Sequence, residues 1–180
     1  MGIRLSRLPS LAGWVFVGVL AIVSSHAQSG DTAARSDFLF SEIFGEELST
    51  NELLFGEARE LWEKLSEDGD AKATYYLSFL YWGGLGGVQR DQATALRLIE
   101  NSAHAGYATA QGALANMYEH GVTVKKDESL AVEWWIRAAA NGDWIAQSRL
   151  ERAYTLGELG LPVDAQQAER WRESRENRGE

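Results

Sequence analysis

The feature that most constrains the fold is an internal repeat with a period of about 36 residues. The segments 69–105, 106–141 and 142–177 each begin with glycine and share one pattern of small and apolar residues. Alanine stands four residues after each glycine, leucine eight and tyrosine twelve, a spacing that places all three on one stripe of a helix. These positions are Ala73, Leu77 and Tyr81, then Ala110, Leu114 and Tyr118, and finally Ala146, Leu150 and Tyr154.

A second helix is predicted in the second half of each segment. It opens on an aspartate, placed where an N-cap side chain accepts backbone N–H groups. A bulky apolar residue follows seven positions later, and a glycine after each segment suits a helix C′ position. The aspartates are Asp91, Asp127 and Asp164, the bulky residues are Leu98, Trp134 and Trp171, and the glycines are Gly106, Gly142 and Gly179. Because one such hairpin cannot bury its own apolar face, the hairpins are predicted to stack into an all-α solenoid.

A divergent copy precedes the three repeats. Residues 51–69 match the second helix of a repeat, and residues 37–48 are predicted to supply its first helix. Ser49 and Glu52 fit a capping box between the two helices. The chain therefore divides into an N-terminal helical hairpin at 37–68 and three repeats over 69–179. Residues 28–36 are small and polar, which predicts a disordered tether.

The register resembles the Sel-1-like repeat, a relative of the tetratricopeptide repeat. The second copy carries most of the family's motif, at Ala110, Leu114, Tyr118, Gly121, Val122, Asp127, Ala131, Trp134, Ala138, Ala139 and Gly142. The resemblance implies a right-handed α/α superhelical solenoid of about four hairpins. It also implies a scaffold or adaptor whose first helices line a concave, partner-binding face. Exported bacterial members of this kind resemble parts of the machinery of the cell envelope.

The first 27 residues have the pattern of a signal peptide. Arg4 and Arg7 precede an uncharged, mostly apolar run at 11–23, and small residues follow at the end of the segment. Export to the periplasm or the medium is therefore predicted, with Gln28 as the mature N-terminus and no stable membrane anchor after cleavage. The run is shorter than the roughly 20 residues that a membrane helix needs, and an uncleaved anchor stays open as the alternative.

The net charge restricts the class of partner. It is −9 for the whole chain, and removing the two arginines of the signal segment takes it to −11. Binding to nucleic acid needs a basic surface, and anionic lipid attracts basic segments. The predicted partner is therefore another protein or a peptide, neutral or basic in charge.

No motif predicts a catalytic residue, a metal site or a cofactor. The chain has no cysteine, and His104 and His120 lie on different predicted helices without the spacing of a zinc site. The glycine-rich stretch 81–91 lacks the lysine that ends a phosphate-binding loop. A non-catalytic scaffold is the predicted function. The alternative is an envelope enzyme or carbohydrate-binding protein acting on cell-wall glycans, with paired carboxylates whose spacing would be spatial.

The candidate binding face lies opposite the core stripe of the first helices. In the first repeat it reads Lys72, Tyr75, Phe79 and Trp82, in the second Thr109, Gly112, Asn116 and Glu119, and in the third Ile145, Ser148, Arg152 and Thr155. Only the first copy is aromatic. The hypothesis is a partner site formed by Tyr75, Phe79, Trp82, Asn116 and Arg152. The alternative is that Phe38, Phe40 and Phe44 fold back and cover the aromatic face.

Two adjacent tryptophans, Trp134 and Trp135, follow Glu133 and could form a stacking site for a sugar or cofactor. The register favours packing instead. The position of Trp134 is apolar in every copy, and that of Trp135 turns cationic only in the last copy, at Arg172. The outer face of a terminal repeat meets water. Trp135 is therefore predicted to form a joint between the second and third repeats.

Overall fold

The structure, a computed structural model, describes residues 31–45 and 52–177, and within those ranges it contains helices and no strand. The helices are α1 (Thr32–Phe44), α2 (Glu52–Glu67), α3 (Ala71–Gly83), α4 (Gln92–His104), α5 (Ala108–His120), α6 (Glu128–Ala140), α7 (Trp144–Leu156) and α8 (Ala165–Glu176). The described residues belong to two units, the first containing residues 31–45 and the second residues 52–177. The predicted signal peptide, the Ser49 cap and Gly179 lie outside the described residues.

Helix α1 belongs to the first unit and starts earlier than its sequence predicts. The side chain of Asp31 accepts the backbone N–H groups of Ala33 and Ala34, at 3.1 and 3.0 Å, so the helix begins at Thr32. The predicted start at Asp37 was wrong, and so was the part of the predicted tether that falls in the helix. The cap at Asp31 is the physical reason, because it satisfies backbone donors that a helix start leaves open. The pairing of α1 with α2 as a fourth hairpin stays a prediction.

The second unit contains α2 followed by three helical hairpins, α3–α4, α5–α6 and α7–α8, and each helix packs against the next along the chain. One aspartate organises each hairpin. Asp91, Asp127 and Asp164 cap the second helices through their side chains. Their backbone N–H groups donate to the carbonyl oxygens of Tyr81, Tyr118 and Tyr154 at 2.8, 2.9 and 2.8 Å. The same residue therefore starts the second helix and ties it to the end of the first.

The core follows the repeat stripe. The alanines and leucines of the stripe, together with Trp134 and Trp135, are buried, whereas the three tyrosines and Trp171 are half-buried. In the terminal helix α8 only Ala168 is buried, and Arg172 and Glu176 are exposed. A charged outer face of this kind is typical of the terminal repeat of a solenoid.

Two buried glutamines join consecutive repeats. Gln111 donates to the carbonyl oxygen of Ala103 at 3.0 Å, and Gln147 donates to that of Ala139 at 3.2 Å. Both acceptors lie near the end of the preceding second helix, where carbonyl groups lack partners within the helix. These bonds fix each first helix against the hairpin before it.

The loop of the second repeat holds a strained residue. The second position after the helix-ending glycine has a positive φ in all three loops, at Gly86 (66°), Thr123 (64°) and Leu159 (57°). A β-branched residue is a genuine outlier in this region. We expect Thr123→Gly to raise the free energy of unfolding by up to about 1 kcal/mol, since relief of strain exceeds the entropy that glycine adds to the unfolded chain. Urea denaturation measures the change.

The matched control is Thr123→Ala. Alanine removes the branched side chain but keeps the Cβ atom that makes a positive φ unfavourable. Thr123→Ala should therefore raise the free energy of unfolding by less than Thr123→Gly does. Equal stabilisation by both variants would mean that the hydroxyl and methyl groups, and not the backbone conformation, cause the strain.

Candidate functional site

Two adjoining cavities form one groove along the first helices of the repeats. The first, of about 320 Å³, is lined by Tyr75, Ser78, Phe79, Trp82, Ile99, Ala113, Asn116, Met117 and Val122. The second, of about 220 Å³, is lined by Tyr75, Thr109, Gly112, Ala113, Asn116, Trp135, Asp143 and Ile145. Tyr75, Ala113 and Asn116 line both, so the two cavities adjoin at these residues. We call this combined surface the groove.

The groove brings together four of the five residues predicted for the partner site. Tyr75, Phe79, Trp82 and Asn116 all line it. Arg152 lies elsewhere, in a polar cavity of about 480 Å³ that also includes Glu119, Arg149 and Glu158. The first helices therefore present an apolar groove and a separate charged surface, and the predicted site combined residues from both.

Tyr75 is a wall of the groove and not an open aromatic surface. Its side chain is only 9% exposed. The ring of Phe79 meets it edge-on at 5.1 Å between centroids, and the ring of Tyr107 lies 5.5 Å away. The start of the next repeat packs against the ring through Tyr107, so Tyr75 offers little exposed surface to a partner. Burial, with smaller effects from Tyr107 and the negative charge of Asp143, raises the pKa of Tyr75 to about 12, so its phenol stays neutral.

Gly112 lies in the middle of α5 at the floor of the groove. A Cβ atom built there would meet the ring of Trp135 and the carboxylate of Asp143 at 3.6 Å each, which is ordinary van der Waals contact. Packing therefore does not require glycine. In the interior of a helix glycine costs roughly 0.5–1 kcal/mol relative to alanine. The second repeat thus gives up helix stability at a residue that lines the groove.

Trp135 is both a joint between repeats and part of the groove. Its side chain is 3% exposed, and its indole Nε1–H donates to Glu119 Oε2 at 2.8 Å. Glu119 in turn accepts from Arg149 of the third repeat. Only an edge of the ring lines the groove. Glu133, the carboxylate that suggested a stacking site, is exposed.

A charged network connects α5 with α7. Arg149 donates from Nη2 to Glu119 Oε1 at 2.8 Å and from Nη1 to Glu158 Oε2 at 2.7 Å. The other oxygen of Glu158 accepts from Arg152 at 2.9 Å. Burial works to raise the pKa of Glu119, but the hydrogen bonds from Arg149 and Trp135 outweigh it, and the net pKa is lowered. Glu119 is therefore an ionised acceptor and unsuited to act as a general acid.

Trp144 is an exposed residue that the sequence analysis missed. It opens α7 with 61% of its surface exposed, and the following residue, Ile145, is 52% exposed and lines the groove. The corresponding positions in the other repeats are Ala71 and Ala108. The change from alanine to tryptophan at this repeat position was the feature of the sequence that could have identified Trp144.

The described residues contain no group of three or more histidine, cysteine or acidic side chains arranged to hold a metal ion. His104 meets the ring of Trp134 edge-on at 5.1 Å. His120 lies with Nδ1 3.0 Å from the carbonyl oxygen of Asn116, one turn earlier in α5. Within the described part of the chain, no helix combines the length and the apolar character that a membrane span requires.

Three comparisons with known proteins agree with this architecture. The crystal structure of a Sel1 repeat protein from Oxalobacter formigenes is 34% identical, with a TM-score of 0.62 over 68% of this chain and 92% of that one. The crystal structure of c5321, a protective antigen of uropathogenic Escherichia coli strains with an SLR fold, is 28% identical. Its TM-score is 0.64, and the match covers 89% of this chain and 33% of that one. The chitin synthase regulator SKT5 of Saccharomyces cerevisiae is 36% identical over 104 residues.

The match to the yeast regulator covers 56% of this chain and 15% of the regulator, so this chain spans a small part of that protein. The profile of the Sel1 repeat matches residues 71–107, 108–143 and 145–171, which together make up more than half of the chain. The predicted all-α repeat solenoid is thereby confirmed. The chain belongs to the Sel1 repeat family.

Proposed function

We propose that this protein is a non-catalytic scaffold or adaptor that binds a protein or peptide in the groove. Sel1 repeat proteins generally bind other proteins. The observation that carries the proposal is the pair of adjoining cavities along the first helices of consecutive repeats, with a largely apolar lining and one exposed amide, Asn116, that borders both cavities. A site that extends along the first helices of consecutive repeats favours an extended chain segment.

The acidic residues favour a scaffold over a glycan-acting enzyme. A glycosidase needs two carboxylates facing one substrate site. Among the described residues that line the groove, Asp143 is the only acid. Glu119 and Glu158 share Arg149 in a separate cavity. Glu119 and Glu158 are thus bound by a cation and lie outside the groove.

The proposed location is the bacterial cell envelope, after export. The charged start, the short apolar run and the small residues near residue 27 support it. Expression of the full chain in a Gram-negative host tests this. The expected result is a periplasmic protein whose intact mass corresponds to a start at Gln28. A full-length chain retained in the membrane fraction would show instead that the segment is kept as an anchor.

The binding role is tested by Asn116→Arg, which places a long charged side chain at the centre of the groove. Asn116 is exposed, so the variant should remain folded while proteins captured from an envelope extract are lost. Asn101→Arg is the matched control, because Asn101 is exposed on a second helix, α4. Equal capture by both variants, with both folded, would contradict binding in the groove.

Gly112→Ala should have opposite effects on stability and binding. We expect it to raise the free energy of unfolding by about 0.5–1 kcal/mol and to weaken capture of the partner, since the methyl group fills the floor of the groove. Thermal unfolding and the same capture experiment measure the two effects. The control is Gly56→Ala in the interior of α2, where a Cβ atom would meet nothing within 4 Å. It should give a similar gain in stability with unchanged capture.

A further inference from the structure

We propose, resting on the proposed function, that the groove takes a peptide segment in which a bulky apolar residue stands a few residues from a lysine or arginine. The apolar side chain occupies the cavity between the first and second repeats. The cationic side chain binds Asp143 at the other end of the groove. The peptide backbone crosses between them over Gly112 and Asn116.

At the apolar end of the groove, none of the lining residues within 31–45 and 52–177 is charged. Its walls are aromatic and aliphatic, from Phe79, Trp82, Ile99, Met117 and Val122. Bulky apolar anchors in such pockets supply most of the binding energy in protein interfaces. One large side chain of a partner matches this cavity in chemistry.

The other end of the groove carries a negative charge, the carboxylate of Asp143. One carboxylate oxygen of Asp143, Oδ1, accepts the N–H of Ala146 at 2.8 Å as the cap of α7. The second oxygen, Oδ2, lies 3.6 Å from the position of a Cβ atom at Gly112 and therefore borders the groove. Among the described residues, no lysine, arginine or histidine lines either cavity of the groove. With a net charge of −9 for the chain, a cationic group of the partner is the complementary one.

The floor between the two ends suits a peptide backbone. Gly112 and Asn116 are one turn apart in α5 and so share a stripe of the helix. The missing Cβ at Gly112 allows another main chain to approach closely. The carboxamide of Asn116 offers both a donor and an acceptor, which is what one peptide group requires. The neutral phenol of Tyr75 borders the same place.

The test begins with a random peptide library displayed on phage and selected against the full mature chain. The enriched sequences should share a bulky apolar residue with a lysine or arginine close by. A synthetic consensus peptide should then bind Asp143→Asn about five- to tenfold more weakly than the unmodified protein. Asparagine is as good an N-cap as aspartate, so this variant removes the charge and keeps the start of α7.

A double-mutant cycle shows whether the cation and Asp143 interact. Replacing the basic residue of the peptide with methionine should weaken binding to the unmodified protein by a similar factor. Asp143→Asn should then weaken it no further. Rising salt should reduce the difference between the peptides, since exposed charges are screened.

Two results separate failure of this inference from failure of the proposed function. The first result would overturn the inference and leave the groove as the binding site. In that result, peptide binding is lost in Asn116→Arg and kept in Asn101→Arg. However, the peptides lack a basic residue, or they bind Asp143→Asn as tightly as the unmodified protein. Failure to enrich any peptide, or enriched peptides indifferent to Asn116→Arg, would overturn both.

Discussion

Replacing Trp135 with alanine should lower the free energy of unfolding by about 3–5 kcal/mol, as for other buried aromatic truncations. The residue is 3% exposed, and its side chain lines one cavity together with Asp143 and Ile145 of the third repeat. Its N–H group also donates to Glu119 at 2.8 Å, so the truncation leaves a cavity and removes one partner of a half-buried carboxylate. Urea denaturation followed by circular dichroism measures the loss.

Two further variants interpret this result. Trp144→Ala makes the same substitution at a residue that is 61% exposed, and its effect should stay within about 0.5 kcal/mol. Trp135→Phe keeps much of the ring and removes the indole donor, so it should recover most of the loss. If Trp135→Ala were as mild as Trp144→Ala, the ring would be no joint between repeats, and a stacking site for a ligand would again be the better interpretation.

Features of the fold that depend on one hairpin could be predicted from the sequence. The caps at Asp91, Asp127 and Asp164 are local, because a side chain bonds backbone groups two or three residues away. The buried stripe is local as well, since spacing along one helix fixes which residues share a face. Because the pattern occurs in three copies, these features could be recognised from one sequence.

Features that depend on how one repeat meets the next could not be predicted in the same way. The sequence placed Tyr75 opposite the core stripe and left open whether other residues cover it; in the structure, Tyr107 of the following repeat packs against its ring. Which side chain covers which depends on the angle and distance between hairpins, and a helical register does not contain that information. The same holds for Gln111, whose amide reaches back to Ala103 of the first repeat.

The sequence predicted part of the groove, but it did not predict the role of Gly112. Phe79, Trp82 and Asn116 could be placed on one face by their spacing. Gly112 stood on the same face, but its meaning came only from the 3.6 Å distances around its missing Cβ atom. A mid-helix glycine reads in sequence as a weak helix position. In the structure, packing around residue 112 permits alanine, yet the chain has glycine. The fold alone therefore does not explain the glycine, and a role in binding is indicated.

The residue pattern shared by the three repeats does not predict the network around Arg149. The equivalent positions hold Tyr76 in the first repeat and Ala113 in the second, so the register gave no reason to expect a cation there. Its partners are distant along the chain, with Glu119 in the second repeat and Glu158 in the loop after α7. An ion pair across repeats is a property of this chain and not of the repeat pattern.

Replacing Arg149 with methionine should therefore lower the free energy of unfolding by about 2–3 kcal/mol at neutral pH. Methionine keeps most of the apolar stem and removes the guanidinium, which leaves Glu119 ionised and half-buried with only Trp135 as its donor. The control is Arg152→Met. Arg152 also bonds Glu158, but its side chain is 66% exposed against 18% for Arg149, and exposed pairs contribute about 0–1 kcal/mol.

The loss in Arg149→Met should depend on pH with a definite sign. The pKa of Glu119 in the folded protein is lowered from 4.5, so the ion pair stabilises the fold above that value and its contribution disappears as pH falls through the folded pKa. Without Arg149, burial is the main influence on Glu119, and the carboxylate takes up its proton at a higher pH. The gap in stability between the two proteins should thus be full at neutral pH and shrink on acidification. A gap that stayed constant well below pH 4.5 would show that Arg149 acts through the packing of its stem and not through its charge.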